Sequence, residues 1–449
     1  MKKYKSFSFQ LVTKFSNFIL FKNSLFHSSI FLFLLFLLML FTRSVVGLYL
    51  LNIRFGEILV LISFLSSLII LLFIFKDSTF FDSKVISLFK LLIVFFFIVS
   101  YLTSTDLLRP YAFRTSSYIW TISYLFVGSY IISKKNIKIL KSSILFLFLI
   151  YLFSSGNYPE FFIDLFYKFS DKFQFIKGSE ITLAYICIIL VNYKLFENKK
   201  VNLSYIILFG ALFIPILLVA SRGAFLGAIM FIILELFYRK DFIFNNMKFF
   251  VILIFLSIPL FLISTLRIGS NNQIEQIALN PQQEIELALN DVVTKKDITS
   301  VFLGFYITDY GYLDSTDPTT SWRLDIWQDV FYDMKSKDIL LNGYGYKEII
   351  PVMTDPTAPG RLGWDGLNEN VHNYFVNILA RGGLFQLLIA LCFHIYLVWY
   401  FKERHGNYRI LSFTLPLLFI ASLDAAMEGV NFPIIFYSFY GYFIKNGID

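Results

Sequence analysis

Long apolar runs, broken by short segments that carry lysine or arginine, fill most of this chain. About 20 apolar residues cross a bilayer as a helix. Twelve runs approach that length, at 24–42, 57–75, 85–103, 117–132, 139–153, 179–195, 203–219, 223–238, 248–266, 382–400, 409–423 and 431–444. The pattern predicts an all-α polytopic membrane protein with about twelve transmembrane helices. One stretch breaks the rhythm: residues 267–371 are polar for 105 positions. The predicted order is therefore a short N-terminal segment (1–23), nine spans over 24–266, one large and partly helical loop over 267–371, three spans over 372–444 and a tail over 445–449.

Composition removes the alternatives. The chain is 57% hydrophobic and 16% charged, with 56 Phe in 449 residues. Soluble domains are about 45–50% apolar and about 25% charged, so soluble, disordered, collagen-like and disulfide-stapled classes are excluded. Cys187 and Cys392 lie inside apolar runs, which predicts two buried thiols and no disulfide. The first run is long for a signal-peptide core and no small-residue cleavage site follows it, so it is expected to stay as the first span.

Charge then orients the layout. With the N-terminus in the cytoplasm, 21 Lys and Arg residues fall in inside segments and 8 in the short outside ones. The positive-inside rule favours that arrangement. It puts the polar loop on the outer, periplasmic side and both termini in the cytoplasm. The loop holds 16 of the 31 acidic residues, and its net charge is −8 against +8 for the whole chain. The overall positive charge thus belongs to topology and to the lipid bilayer, and gives no case for nucleic acid.

A loop of this length is the default functional element. Asn271 to Ser300 predicts one or two short amphipathic helices, and Gly304 to Pro318 is rich in turn residues. Ser321 is a candidate cap for a helix running to about Lys335. Arg323, Trp327, Val330 and Met334 share one face of that helix, while Asp325, Asp329 and Asp333 line another, expected to be wet. Asn342-Gly343-Tyr344-Gly345 ends the helical region in a turn, and Asn368 to Asn373 leads into the tenth span.

Three residues stand out as candidate chemistry. Arg222, in Ser221-Arg222-Gly223, sits between two spans at the outer face. It reads either as a snorkelling or ion-paired arginine, with Asp424 or Glu428 as partner, or as an anion site using its planar fork and a helix N-terminus. Arg323 reads either as an amphipathic arginine beside Trp327 or as a second phosphate clamp. Among the four His, only His372 lies at the outer mouth among polar neighbours; it is a satisfied interfacial imidazole or a general base. Asp365, Glu369, Asp424 and Glu428 are acidic candidates without a spacing that singles out a pair, and no metal motif is found.

Together, Ser221-Arg222-Gly223, Arg323-Leu324-Asp325-Ile326-Trp327, Gly343-Tyr344-Gly345 and His372-Asn373 followed by Gly383 resemble the O-antigen ligase and polymerase superfamily over roughly residues 180–400. The resemblance implies a C-type glycosyltransferase-like membrane enzyme of the bacterial inner membrane, with its active site in the periplasm and no cofactor or metal. It implies a glycan donor on undecaprenyl diphosphate, held by Arg222 and Arg323, and His372 as base for the acceptor hydroxyl. Trp327, Gly343, Gly345, Asn373 and Glu369 are the further substrate-binding candidates, and Trp322, Tyr344, Tyr346 and Trp364 offer faces for sugar rings. The acceptor is another lipid-linked repeat unit in a polymerase, lipid A-core in a ligase, or a Ser or Thr side chain in a protein-glycosylating relative. A chain-length regulator is an expected partner of a polymerase. Gln386 stands where ligases carry a small residue or Tyr, which favours the polymerase. A transporter is the reading from a different class; against it stand the long loop, the lack of internal repeats and the few charges inside spans.

Overall fold

A computed structural model describes residues 25–73, 81–107, 109–132, 137–155, 158–170, 173–196, 198–270, 304–358, 360–362, 366 and 368–448. The expected helices between Asn271 and Ser300, and the candidates Trp364 and Asp365, lie outside these residues. The chain is mostly helical. Its first half runs α1 (Leu25–Val46), α2 (Phe55–Phe73), α3 (Ser83–Leu102), α4 (Pro110–Thr115), α5 (Ser117–Trp120), α6 (Ser123–Ile131), α7 (Ile137–Ser154) and α8 (Glu160–Phe169). There follow α9 (Gly178–Leu195), α10 (Lys199–Ala220), α11 (Arg222–Tyr238), α12 (Lys240–Asn245) and α13 (Met247–Ser270). After the polar loop come α14 (Pro318–Ser336), α15 (Tyr374–His405), α16 (Leu411–Ala421) and α17 (Asn431–Asn446).

Helix occupies every one of the predicted apolar segments, although 117–132 is split between α5 and α6. Five helices are long and apolar enough to cross a membrane, and shorter apolar helices include parts of α2, α7, α9 and α16. Helix α9 is buried on every face from Gly178 to Tyr193 and packs against α7, α10, α11, α16 and α17. A helix apolar all round belongs at such a centre. Helix α13 is the opposite case, turning Ile252, Phe255, Leu256 and Leu266 outward. So large an apolar exterior suits hydrocarbon as solvent and not water. Cys187 is buried as expected, whereas Cys392 is exposed on that exterior, because it falls on the outward face of α15.

The loop builds a small second core against the start of α15, from Ile326, Val330, Met334, Ile350, Val352, Met353, Val371 and Ala380. Ile326, Val330 and Met334 recur every fourth residue, one stripe of a helix. Helix α14 starts earlier than the Ser321 cap predicts. Asp317 is the cap: its carboxylate accepts from the Thr320 N–H at 3.0 Å, and Pro318 fills the first helical position. A short hairpin, β1 (Phe305–Ile307) with β2 (Leu313–Ser315), packs on the helix. On the acidic face of α14, Asp325 is exposed as expected, while Asp329 and Asp333 are half-buried beside partners. Asp329 pairs with the buried Arg361, and Asp333 accepts from the Tyr344 hydroxyl at 2.6 Å.

Helix α15 does not start at 382. It begins at Tyr374 and breaks at Gly383, whose φ of 74° and ψ of −177° only glycine adopts readily. The break frees backbone groups that the 340–345 segment takes up. The Tyr344 and Gly345 N–H groups donate to the carbonyls of Ala380 (2.7 Å) and Arg381 (3.0 Å), and the Leu384 N–H donates to Leu340 (2.9 Å). Gly343, at φ 75°, lies so close that a Cβ would stand 2.6 Å from the Arg381 carbonyl oxygen. Gly383→Ala is expected to destabilise the protein by at least about 1–3 kcal/mol from backbone strain alone. A thermal melt of detergent-purified protein checks this, and an unchanged midpoint refutes the role given to the break.

Candidate active site

Four helices begin around one polar cluster at the end of the bundle that faces the loop: α9 at Gly178, α11 at Arg222, α15 at Tyr374 and α17 at Asn431. Their N-termini carry partial positive charge. The charged side chains among them are Arg43, Lys177, Glu180, Arg222, Asp317, Arg323, His372, Asp424 and Glu428.

Arg222 meets Asp317, at 3.0 Å, and neither Asp424 nor Glu428. Asp317 is only 8% exposed, so this pair closes the loop onto the bundle. Arg323 lies one and a half turns along α14 from the same cap, within the fields of Asp317 and Asp424. Burial opposes its charge and pulls its pKa below the usual value, while those two carboxylates offset the loss. Among the described residues its buried Nε has no hydrogen-bond partner. A buried guanidinium donor without an acceptor suits an anionic ligand.

His372 has a φ of 56°, unusual for a residue other than glycine. Its neighbours hold it there. The Trp327 indole N–H donates to the Val371 carbonyl at 2.7 Å. Asn373 caps α15 by accepting from the Phe375 and Val376 N–H groups, and its own N–H donates to Glu428 at 2.9 Å. Trp322 presents its edge to the imidazole at 5.2 Å between ring centres. The Asn368 amide lies 3.1 Å from Nε2. The buried Nδ1 faces Asp424 at 4.0 Å, too far for a hydrogen bond. Burial, and then Arg323, push the imidazole down to about 4, so it is neutral at neutral pH. Burial pushes the Asp424 carboxyl up, but Lys177, the Ser179 hydroxyl at 2.7 Å and Arg43 more than offset it and keep it ionised. Desolvation pushes Glu428 up to about 8, although the Asn373 N–H and Arg381 work against it.

The structure thus brings Arg222, Arg323 and His372 into one cluster, with Trp327 and Asn373 as the parts that fix His372. Glu369 is held by the Tyr111 hydroxyl (2.9 Å) and the Arg114 guanidinium (2.7 Å). Gly343 and Gly345 pack at the α15 break, and Gly345 abuts the Thr103 side chain. Sequence reasoning passed over Asp317, Asn368 and Lys177, and offered Asp424 as a partner of Arg222 where the structure sets it beside Ser179 and His372. Only Asp317 carried a local signal, an Asp before Pro at a helix start. Among the described residues, no three His, Cys, Asp or Glu side chains stand close enough to hold a metal ion.

A membrane-embedded helical bundle with a cationic site under an extramembrane cap is the class these features define. Residues 206–391 match the family model described as O-antigen ligase, which supports placing the chain in the O-antigen ligase/polymerase superfamily. The match covers α11, α14, His372 and the α15 break, whereas Lys177, Asp424 and Glu428 fall outside it. No curated protein matches the chain.

Burial of Glu428 has a measurable cost. A carboxyl whose folded pKa is raised to about 8 contributes stability below about pH 4.5, and that stability is lost as pH rises through 8. Glu428→Gln should therefore raise the thermal midpoint more at pH 8.5 than at pH 5. Equal shifts at both values would contradict the assignment.

Proposed function

We propose that this protein is an inverting glycosyltransferase that polymerises oligosaccharide repeat units carried on undecaprenyl diphosphate, at the periplasmic face of the bacterial inner membrane. The observation that carries the reading is the convergence of a neutral imidazole, two guanidinium groups and a loop-borne cap at one mouth of the bundle. The positive-inside bias supports the orientation, with both termini cytoplasmic, and the twelve helix-bearing segments support the same number of crossings.

In this reading Arg222 and Arg323 hold the donor diphosphate. The acceptor hydroxyl attacks the anomeric carbon from the face opposite the diphosphate. The carbon–oxygen bond to phosphate breaks, its electron pair leaves on undecaprenyl diphosphate, and the hydroxyl proton passes to His372. One displacement inverts the anomeric centre. Nε2 is the working nitrogen, because Nδ1 is buried toward Asp424. Asn368 marks where the acceptor hydroxyl sits, and Asp424 orients the ring as the third member of a base-and-orienter arrangement. The arginines stabilise charge that develops on the leaving group. A bound diphosphate also offsets the field of Arg323 on His372, and so raises the basicity of the imidazole as the substrate arrives.

A surface-glycan gel on a deletion strain tests the proposal, with complementation by wild type, Arg323→Ala or His372→Ala. A core carrying one repeat unit supports a polymerase. A bare core with long glycan on the lipid carrier supports the ligase. Full restoration by both variants overturns the catalytic assignment and favours a transporter. The pH profile gives a second check. Arg323 lowers the His372 pKa, so the residual activity of Arg323→Ala should show its acid limb at higher pH than wild type.

A further inference from the structure

The cations of the site are not exhausted by the two arginines. Lys177 immediately precedes α9, and Gly178 rests against the first turn of α11: a Cβ there would lie 2.9 Å from the Ser221 Cβ and 3.1 Å from the Ala224 Cβ. The Thr182 hydroxyl ties the same two helices by donating to the Ala224 carbonyl at 3.3 Å. On the other side, Ser179 donates to Asp424 at 2.7 Å. Lys177 is thus fixed between the Ser221-Arg222-Gly223 turn and the Asp424–His372 pair, and its ammonium acts on both members of that pair.

Its acidic neighbour is occupied elsewhere. Glu180 accepts from the Lys177 backbone N–H (3.1 Å) and the Asn431 amide (2.6 Å), and pairs loosely with Arg43 (3.9 Å). Among the described residues the Lys177 ammonium forms no ion pair, whereas Arg222 has Asp317. Among the described residues, Arg43, Lys177, Arg222 and Arg323 gather with Glu180, Asp317 and Asp424, while burial keeps His372 neutral and Glu428 protonated at neutral pH. Burial pulls the Lys177 pKa below its usual value, so its charge sits in a partly desolvated site. Unpaired charge in such a place is costly unless a ligand completes it.

We propose that Lys177 is the third cation of the diphosphate clamp, taking up the charge that the diphosphate gains when its bond to the sugar breaks. The proposal rests on the glycosyl-transfer reading. A diphosphate esterified at both ends carries two negative charges, and the released monoester carries up to one more. A cation beyond the Arg222–Arg323 pair therefore favours the departing form over the bound donor, which is the differential that speeds a reaction. Lys177 lies before the matched segment, in the first half of the chain.

The test uses the purified full-length protein in detergent and measures affinity for undecaprenyl diphosphate and for undecaprenyl monophosphate. Lys177→Gln should weaken diphosphate binding by about ten-fold or more, as loss of one charge-assisted contact predicts. It should lower kcat more than it raises donor KM, and leave monophosphate affinity nearly unchanged. Lys177→Arg should keep most of the diphosphate affinity, and it carries the test alone if the Gln variant fails to fold. Unchanged diphosphate affinity in Lys177→Gln overturns the proposal. So does a shifted acid limb with intact diphosphate binding, since Lys177 would then act only on the Asp424–His372 pair. Should Arg323→Ala bind the diphosphate as tightly as wild type, the glycosyl-transfer reading itself falls.

Discussion

One oxygen of the Asp317 carboxylate lies on the Arg222 guanidinium, and the other accepts from the first turn of α14. A single buried anion therefore starts the helix of the extramembrane cap and fastens that helix to the head of α11. Everything at the site follows from this joint. It sets where α14 begins, hence which way Arg323 and Trp327 face, and Trp327 in turn holds the backbone beside His372. Removing the carboxylate would leave a guanidinium and a helix N-terminus, two positive ends, facing each other near lipid.

The break at Gly383 is the second constraint. A helix that enters a bilayer normally satisfies its own backbone, and an interruption must find partners in protein. Here the 340–345 segment supplies them, so the loop is stitched to α15 by main-chain bonds as well as to α11 by charge. Arg381 adds side-chain bonds to the Gly345 and Glu348 carbonyls. The glycines at 343, 345 and 383 are there because backbones meet backbones and the Thr103 side chain at close range. That geometry accounts for them without a substrate.

Four helix starts gather at the mouth with Arg43, Lys177, Arg222 and Arg323, beside Glu180, Asp317 and Asp424. Nearby cations hold Asp424 charged, burial and then Arg323 keep His372 neutral, and desolvation keeps Glu428 protonated up to about pH 8. Three titratable groups of one cluster are thus kept in different states by burial and by the charges around them.

Hydrophobic pattern and charge bias were enough to read the bundle, the polar loop and Arg222, Arg323 and His372 as candidates, because membrane insertion is decided by local runs of apolar residues. Even Asp317 was written locally, as Asp before Pro. The partnerships were not. Asp317 and Arg222 are 95 positions apart in the chain, Lys177 and Asp424 still further, and no periodicity links them. The pairing of Asp329 with Arg361 and of Asp333 with Tyr344, and exposure of Cys392, likewise depend on which faces the packed helices present. Local sequence sets the apolarity of each segment, but a charge finds its counterion only when distant segments are folded against each other, and that was settled by the tertiary structure alone.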